Sequence, residues 1–251
     1  MMTKQTPLAV NVLCLFVCGL MLAASGCARQ SASAAGPTPS GFGSTIVESS
    51  GGKQIGAAGS ILPQPLVVQV NDDQGNAVAG AAVTFSGPSG VTFDPPSGLT
   101  DSSGQLSTNV ILGGMAGRYQ LVASKMTKAQ KKVEIKSEEI ALDYQRRLGQ
   151  LLDDKYCSRC HNPESTPERV SNFDNLEVKP HAFSEGDTLN KMSDADLLSI
   201  ISHGGPALNK SPLMPPYGYT LSKTEMQALI AYIRMISDPP YQAPGMVYAQ
   251  K

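Results

Sequence analysis

Cys157-Ser158-Arg159-Cys160-His161 follows a stretch in which Ile140, Tyr144, Leu148, Leu151 and Leu152 recur at helical spacing. That period predicts a helix running up to the pentapeptide. C-x-x-C-H is the attachment sequence of a c-type haem, with two thiols that become thioethers and an adjacent imidazole that ligates iron. The reading therefore predicts an all-α region built around one covalent haem c.

Two other chemistries use the same cysteine spacing. A thioredoxin-type pair opens a helix after a buried strand, whereas Asp153-Asp154-Lys155-Tyr156 here close a helical stretch. A structural zinc asks for four side-chain ligands. Beyond Cys160 there is no further cysteine, and His181 and His203 are the remaining histidines, so Cys157, Cys160, His181 and His203 form an irregularly spaced zinc set on paper.

The helical pattern continues downstream. Ser193-Asp194-Ala195-Asp196 opens a helix carrying Leu197, Leu198, Ile200 and Ile201, which Gly204-Gly205 ends. Ser222-Lys223-Thr224-Glu225 is a capping box for a last helix with Met226, Leu229, Ile230, Tyr232 and Ile233, stopping before Pro239-Pro240. A low-spin haem needs a second axial ligand, for which Met192, Met214, Met226, Met235, His181 and His203 are the candidates. Met226 and Met235 sit inside the last helix as core filler, and Met192 precedes a helix start as a staple. Met214 lies in Ser211-Pro212-Leu213-Met214-Pro215-Pro216-Tyr217, a stiff non-helical segment suited to holding a thioether in place. His203 reads as a helix C-terminal residue and His181 as an exposed loop residue.

Before the helical region, from Ser44 to Ser137, the pattern is different. Leu66–Val70, Ala82–Phe85, Val91–Phe93, Leu106–Leu112, Tyr119–Ala123 and Val133–Ile135 are short alternating runs between turn signals, as in an all-β sandwich. Lys125, Lys128, Lys131, Lys132 and Lys136 crowd at its end, as a solvated edge and linker or as a docking patch for an acidic partner. From Glu138 onward acidic residues exceed basic ones, whereas the 251-residue chain has a net charge of -1. That balance gives no sign of nucleic-acid binding.

The N-terminus reads as an export signal, with Lys4 before an apolar run from Leu8 to Leu22 that Asn11 interrupts. The run is shorter than the ~20 apolar residues of a spanning helix. Residues Ala28 to Gly43, rich in Ser, Ala, Gly and Pro, read as a flexible tether. Cys14 and Cys18 would leave with the signal, so no thiol remains for a disulfide once Cys27, Cys157 and Cys160 have their roles.

Three resemblances refine this map. Ala23-Ala24-Ser25-Gly26-Cys27 resembles the bacterial lipoprotein box, although the usual leucine three residues before the cysteine is Ala24. It implies a signal peptide over 1–26, lipidation of Cys27, a tether over 27–43 and anchoring to a membrane surface. Ala28 after that cysteine, where inner-membrane retention favours Asp, points to the periplasmic or cell-surface side of the outer membrane. Leu62–Val70, Asp73–Phe85, Thr100–Gln105 and Ala116–Tyr119 resemble bacterial Ig-like domains of the invasin and intimin type, implying a spacer or adhesion module over 44–137.

Residues 138–251 contain the third. Gly149, eight residues before Cys157, Leu229–Ile233 and the segment Gly204–Pro216 resemble a class I monohaem cytochrome c. The family's aromatic four residues before the first cysteine is Asp153 here. The resemblance implies an all-α cytochrome c fold in which Cys157 and Cys160 attach the haem and His161 and Met214 ligate iron. Pro163 is the expected carbonyl partner of the His161 ring. The chain is thus expected to be a multidomain protein, an Ig-like sandwich followed by a cytochrome c domain, that passes single electrons to a redox protein with a basic docking face. No nucleophile–base pair or phosphate loop stands in the sequence, so it reads as a carrier with no catalytic residues of its own. The alternatives are an electron-entry subunit docked to a larger oxidoreductase, and a haem sensor or envelope adhesin.

Overall fold

The computed structural model describes residues 41–162 and 171–244. The export signal, Cys27, most of the tether and Pro163 lie outside them. Nine strands precede the helices: β1 Thr45–Ser50, β2 Ile55–Ala57, β3 Leu66–Asn71, β4 Ala82–Ser86, β5 Thr92–Asp94, β6 Ser97–Leu99, β7 Gln105–Ile111, β8 Gly117–Met126 and β9 Lys132–Leu142. They form two sheets, ordered β1-β3-β7-β5 and β2-β9-β8-β4-β6. Among these named strands the pairs are antiparallel except β2 with β9.

Alternation decides which faces meet. Leu66, Val68 and Val70 of β3 point inward with Val83 and Phe85 of β4, Val110 of β7, and Tyr119, Leu121 and Ala123 of β8, making one buried cluster. Each such side chain contributes about 1.5–3 kcal/mol on burial. The Tyr119 hydroxyl, near the start of β8, donates to the carbonyl of Met115 at 2.8 Å. This tyrosine corner and the two-sheet packing are those of an Ig-like sandwich. The turns are closed by aspartates: Asp72 accepts from the amides of Gln74 and Asn76, and Asp101 from those of Ser103 and Gln105. Gly104, at φ 72°, leaves no room for a Cβ, which would stand 2.8 Å from the Val78 nitrogen.

Two expectations change. Ile140, read as helical, lies in β9 opposite Arg118, because cross-strand pairing continues to Ala141 and Asp143 then caps the helix by accepting from the Arg146 amide. β2 pairs only with Ile140–Leu142 of β9, so the Lys132–Lys136 stretch has β8 on one side alone and is an exposed edge as expected, whereas Lys125 on β8 is not solvated. Lys125 is 3% exposed, and its ammonium donates to the carbonyls of Phe42 and Gly43 at 2.6 and 2.7 Å. Burial holds its pKa below the ordinary lysine value.

The helical part comprises α1 Tyr144–Leu152, α2 Ser158–His161, α3 Gly186–Leu189, α4 Asp194–His203 and α5 Lys223–Ile236, with a π-turn over Asp153–Cys157 between α1 and α2. Capping boxes at Ser193/Asp196 and Ser222/Glu225 start α4 and α5. α1 crosses α5 at Gly149, where an added Cβ would run into the Ala228 carbonyl and stand 2.7 Å from Tyr232 Cβ. Ile140 and Leu142 of β9 belong to the same buried cluster as Leu152, Leu197, Leu229 and Ile233. The sandwich keeps its own core, and the end of β9 contributes to that of the helices. Among the described residues no helix is long and apolar enough to cross a membrane.

Candidate functional site

The π-turn and α2 deliver Cys157, Cys160 and His161 to the wall of a cavity of about 340 Å³. α4, α5 and the loops between them complete it with Leu197, Ile201, Leu229 and Ile233. Met214 and Met192 also line this space, as do His181 and Phe183. A largely apolar cavity with a few convergent polar groups is the form of a cofactor site. His203 does not line it; its ring nitrogen Nδ1 lies 3.2 Å from the carbonyl of Ser199, one turn earlier on α4.

His161 is oriented by its surroundings. Its Nδ1 is 2.7 Å from the carbonyl oxygen of His181. A proton on Nδ1 donates to that oxygen and puts the ring's lone pair on Nε2. The Phe183 ring packs against the imidazole with centroids 4.6 Å apart. Burial lowers the His161 pKa below the ordinary histidine value, and the bond to His181 opposes it in part. The sequence missed the His181 carbonyl because a backbone acceptor has no residue signature, and Pro163, the expected partner, lies outside the described residues.

Both cysteines are free thiols. Burial pushes Cys157 up to about 12, with Asp153 and Cys160 adding to the effect. A redox-pair nucleophile needs the opposite, a thiol lowered towards neutrality. Asp153, at the position where an aromatic was expected, is 2% exposed. Among the described residues no group of three or more His, Cys, Asp and Glu side chains converges as a metal cluster. The paper zinc set of Cys157, Cys160, His181 and His203 is thus not assembled.

The Met214 segment is fixed at several points. Gly205 donates its amide to the Met214 carbonyl at 3.1 Å, and Tyr217 and Gly218 donate theirs to Ile201 and Ser202 of α4, both at 2.9 Å. Gly204, at φ 82°, passes so near that a Cβ would stand 2.7 Å from the Met214 oxygen. The Tyr217 hydroxyl reaches the carbonyl of Tyr156 at 2.9 Å. Tyr217 closed the proline-rich segment in the sequence but carried no signal for this bond.

A two-sheet sandwich joined to a helical unit with a C-x-x-C-H cavity defines the class of architecture. Residues 145–233, within the helical part, match the family described as cytochrome c oxidase, cbb3-type, subunit III. No curated protein matches the chain. Among solved structures, the D00-D0 domain of intimin is similar at 18% identity and a TM-score of 0.31, over 43% of this chain and 52% of that one. Invasin, described as a bacterial integrin-binding protein, is similar at 16% identity and a TM-score of 0.29, over 39% of this chain and 19% of that one. A glycosyl hydrolase family 2 member from Bacteroides cellulosilyticus is similar at 20% identity and a TM-score of 0.30, covering 39% and 14% of the two chains. The chain spans about half the length of the intimin fragment. The molecule combines a two-sheet sandwich with a helical domain whose residues 145–233 match the cbb3-type subunit III family.

Proposed function

We propose that the chain is a c-type cytochrome that transfers single electrons through one haem c held in the cavity of the helical domain. The residues fit that group: two free thiols, an imidazole already oriented through Nδ1, a methionine on a braced loop and an apolar lining meet around one space. This convergence is the observation that carries the reading. Cys157 and Cys160 would form the thioethers, His161 Nε2 and the Met214 sulfur would be the axial ligands, and the bound haem would supply one-electron redox chemistry.

The protein's own groups do the remainder. The His181 carbonyl holds the imidazole and raises its basicity as a ligand. Leu197, Ile201, Leu229 and Ile233 line the space and would keep water from a bound haem, disfavouring its more charged oxidised state. With Met214 as well as His161 holding the iron, the bound group would supply electron transfer rather than binding of an exogenous ligand, which separates a carrier from a sensor. In this reading the chain is a carrier, and the redox chemistry belongs to the haem rather than to catalytic side chains.

In the same reading the chain is exported and lipidated at Cys27, and it stands on the periplasmic or surface side of a membrane, the outer one favoured. Its partner is a redox protein whose basic face meets the acidic surplus of the helical domain, and the sandwich carries the cytochrome domain away from the tether. The test is rapid-mixing reduction of the matured protein with a small-molecule reductant, with and without carbon monoxide. Fast reduction with no carbon monoxide spectrum supports the carrier. A ferrous carbon monoxide complex in the untreated protein would replace it with a sensor.

A further inference from the structure

The sandwich reaches the proximal side of the site through one arginine. Arg118, on β8, donates from Nη2 to the carbonyls of Met235 and Ser237 at 2.9 and 2.6 Å, at the C-terminal end of α5. Its Nη1 pairs with Glu138 on β9, so the guanidinium is held from the sandwich side. A cation on the last carbonyls of a helix is favoured by the helix dipole and satisfies acceptors that have no partner within the helix.

The next residue carries the contact onward. Asp238 donates its amide to the Ser184 carbonyl at 2.8 Å and accepts from the Gly186 amide at 2.9 Å. Between these lies Glu185, whose carboxylate accepts from the Ala182 amide at 3.4 Å and meets His181 Nδ1 at 2.8 Å. The His181–Ala182 peptide is therefore held on its N–H side by Glu185, while its C=O faces His161 Nδ1. Ser237, 0% exposed, cannot shift without disturbing the packing around it.

We infer that Arg118 of the sandwich is a positioning residue for His161, acting through Ser237, Asp238 and the 184–186 turn on the His181 carbonyl. This deepens the role of the sandwich and rests on the haem reading above. The Ig-like domain then forms part of the scaffold that sets the proximal hydrogen bond, in addition to any spacing it provides. Weakening that bond makes the imidazole a less basic ligand and favours ferrous iron.

The test compares the full chain, matured with haem, with Arg118→Gln, Arg118→Lys and Glu138→Gln. The readouts are the midpoint potential and hydrogen exchange at the Gly186 and Asp238 amides. Arg118→Gln should raise the potential and speed exchange at both amides roughly tenfold, as expected for loss of a charge-assisted hydrogen bond. Arg118→Lys, which keeps a cation near the carbonyls, should lie between this variant and wild type. Should Arg118→Gln fail to fold, Arg118→Lys and Glu138→Gln decide by the same two readouts. Haem-loaded variants with wild-type potential and wild-type exchange overturn this inference alone. A wild-type chain that takes up no haem overturns it together with the proposed function, so the two failures are distinguishable.

Discussion

The Tyr217 hydroxyl donates to the carbonyl of Tyr156 at 2.9 Å, tying the Met214 segment to the residue that precedes Cys157. The two rings also meet edge-on, with centroids 5.9 Å apart. The Cys157 turn and the Met214 loop thus share a brace. Tyr217→Phe removes the hydrogen bond and keeps the ring, so the expected loss is about 0.5–1.5 kcal/mol of stability. The methionine-to-ferric absorption band should weaken at a lower temperature than in wild type, which a thermal series of spectra checks.

Met214 and Met192 both line the cavity, but their supports differ. Met192 precedes the capped start of α4, and its carbonyl is held by Arg234 at 2.6 Å. Met214 sits on the loop anchored to Gly205 and, through Tyr217, to α4. Met214→Ala should abolish the methionine-to-ferric band while covalent haem persists, and Met192→Ala should leave the band in place. The reverse result would move the sixth ligand to Met192.

Gly149 lets α1 approach α5 to backbone contact. Gly149→Ala places a methyl against the Ala228 carbonyl, and overpacking of this kind costs about 1–3 kcal/mol. Denaturant unfolding of the matured protein should show a lower midpoint, and an unchanged midpoint would mean that the helices can part without cost.

Glu139 is 0% exposed, with its carboxylate accepting from the amides of Lys53 and Gln54 and from the Ser137 hydroxyl. Burial raises its pKa above the ordinary glutamate value, outweighing those three donors. The folded state therefore binds its proton more tightly than the unfolded state. Its contribution to stability is greatest below the unfolded pKa and is lost as pH rises through the higher folded value. Relative to Glu139→Gln, wild type should lose stability across that window, as read by denaturant midpoints at successive pH values. Parallel pH profiles would contradict the raised value.

Much of this was legible in the sequence because side chains carried it. The alternation of Leu66, Val68 and Val70 marked β3, and the capping boxes at Ser193 and Ser222 marked α4 and α5. β1, with Ile46 as its one buried residue, and the three-residue β2 and β6 offered too little periodicity to be seen. Ile140 was ambiguous because a strand end and a helix start adjoin there. At the site, Cys157, Cys160, His161 and Met214 were each named by residue type. The acceptors that brace His161 and the Met214 loop are the carbonyls of His181 and Tyr156, and a main-chain acceptor looks the same in every residue. Lys125 misled for the same reason, since its partners are two backbone oxygens.

The most direct measurement is the intact mass and visible spectrum of the chain produced with c-type haem assembly, beside the double variant Cys157→Ala/Cys160→Ala. The account predicts one haem that stays with the denatured wild-type protein and is absent from the denatured variant. A wild-type chain without covalent haem under conditions that mature other c-type cytochromes would contradict it.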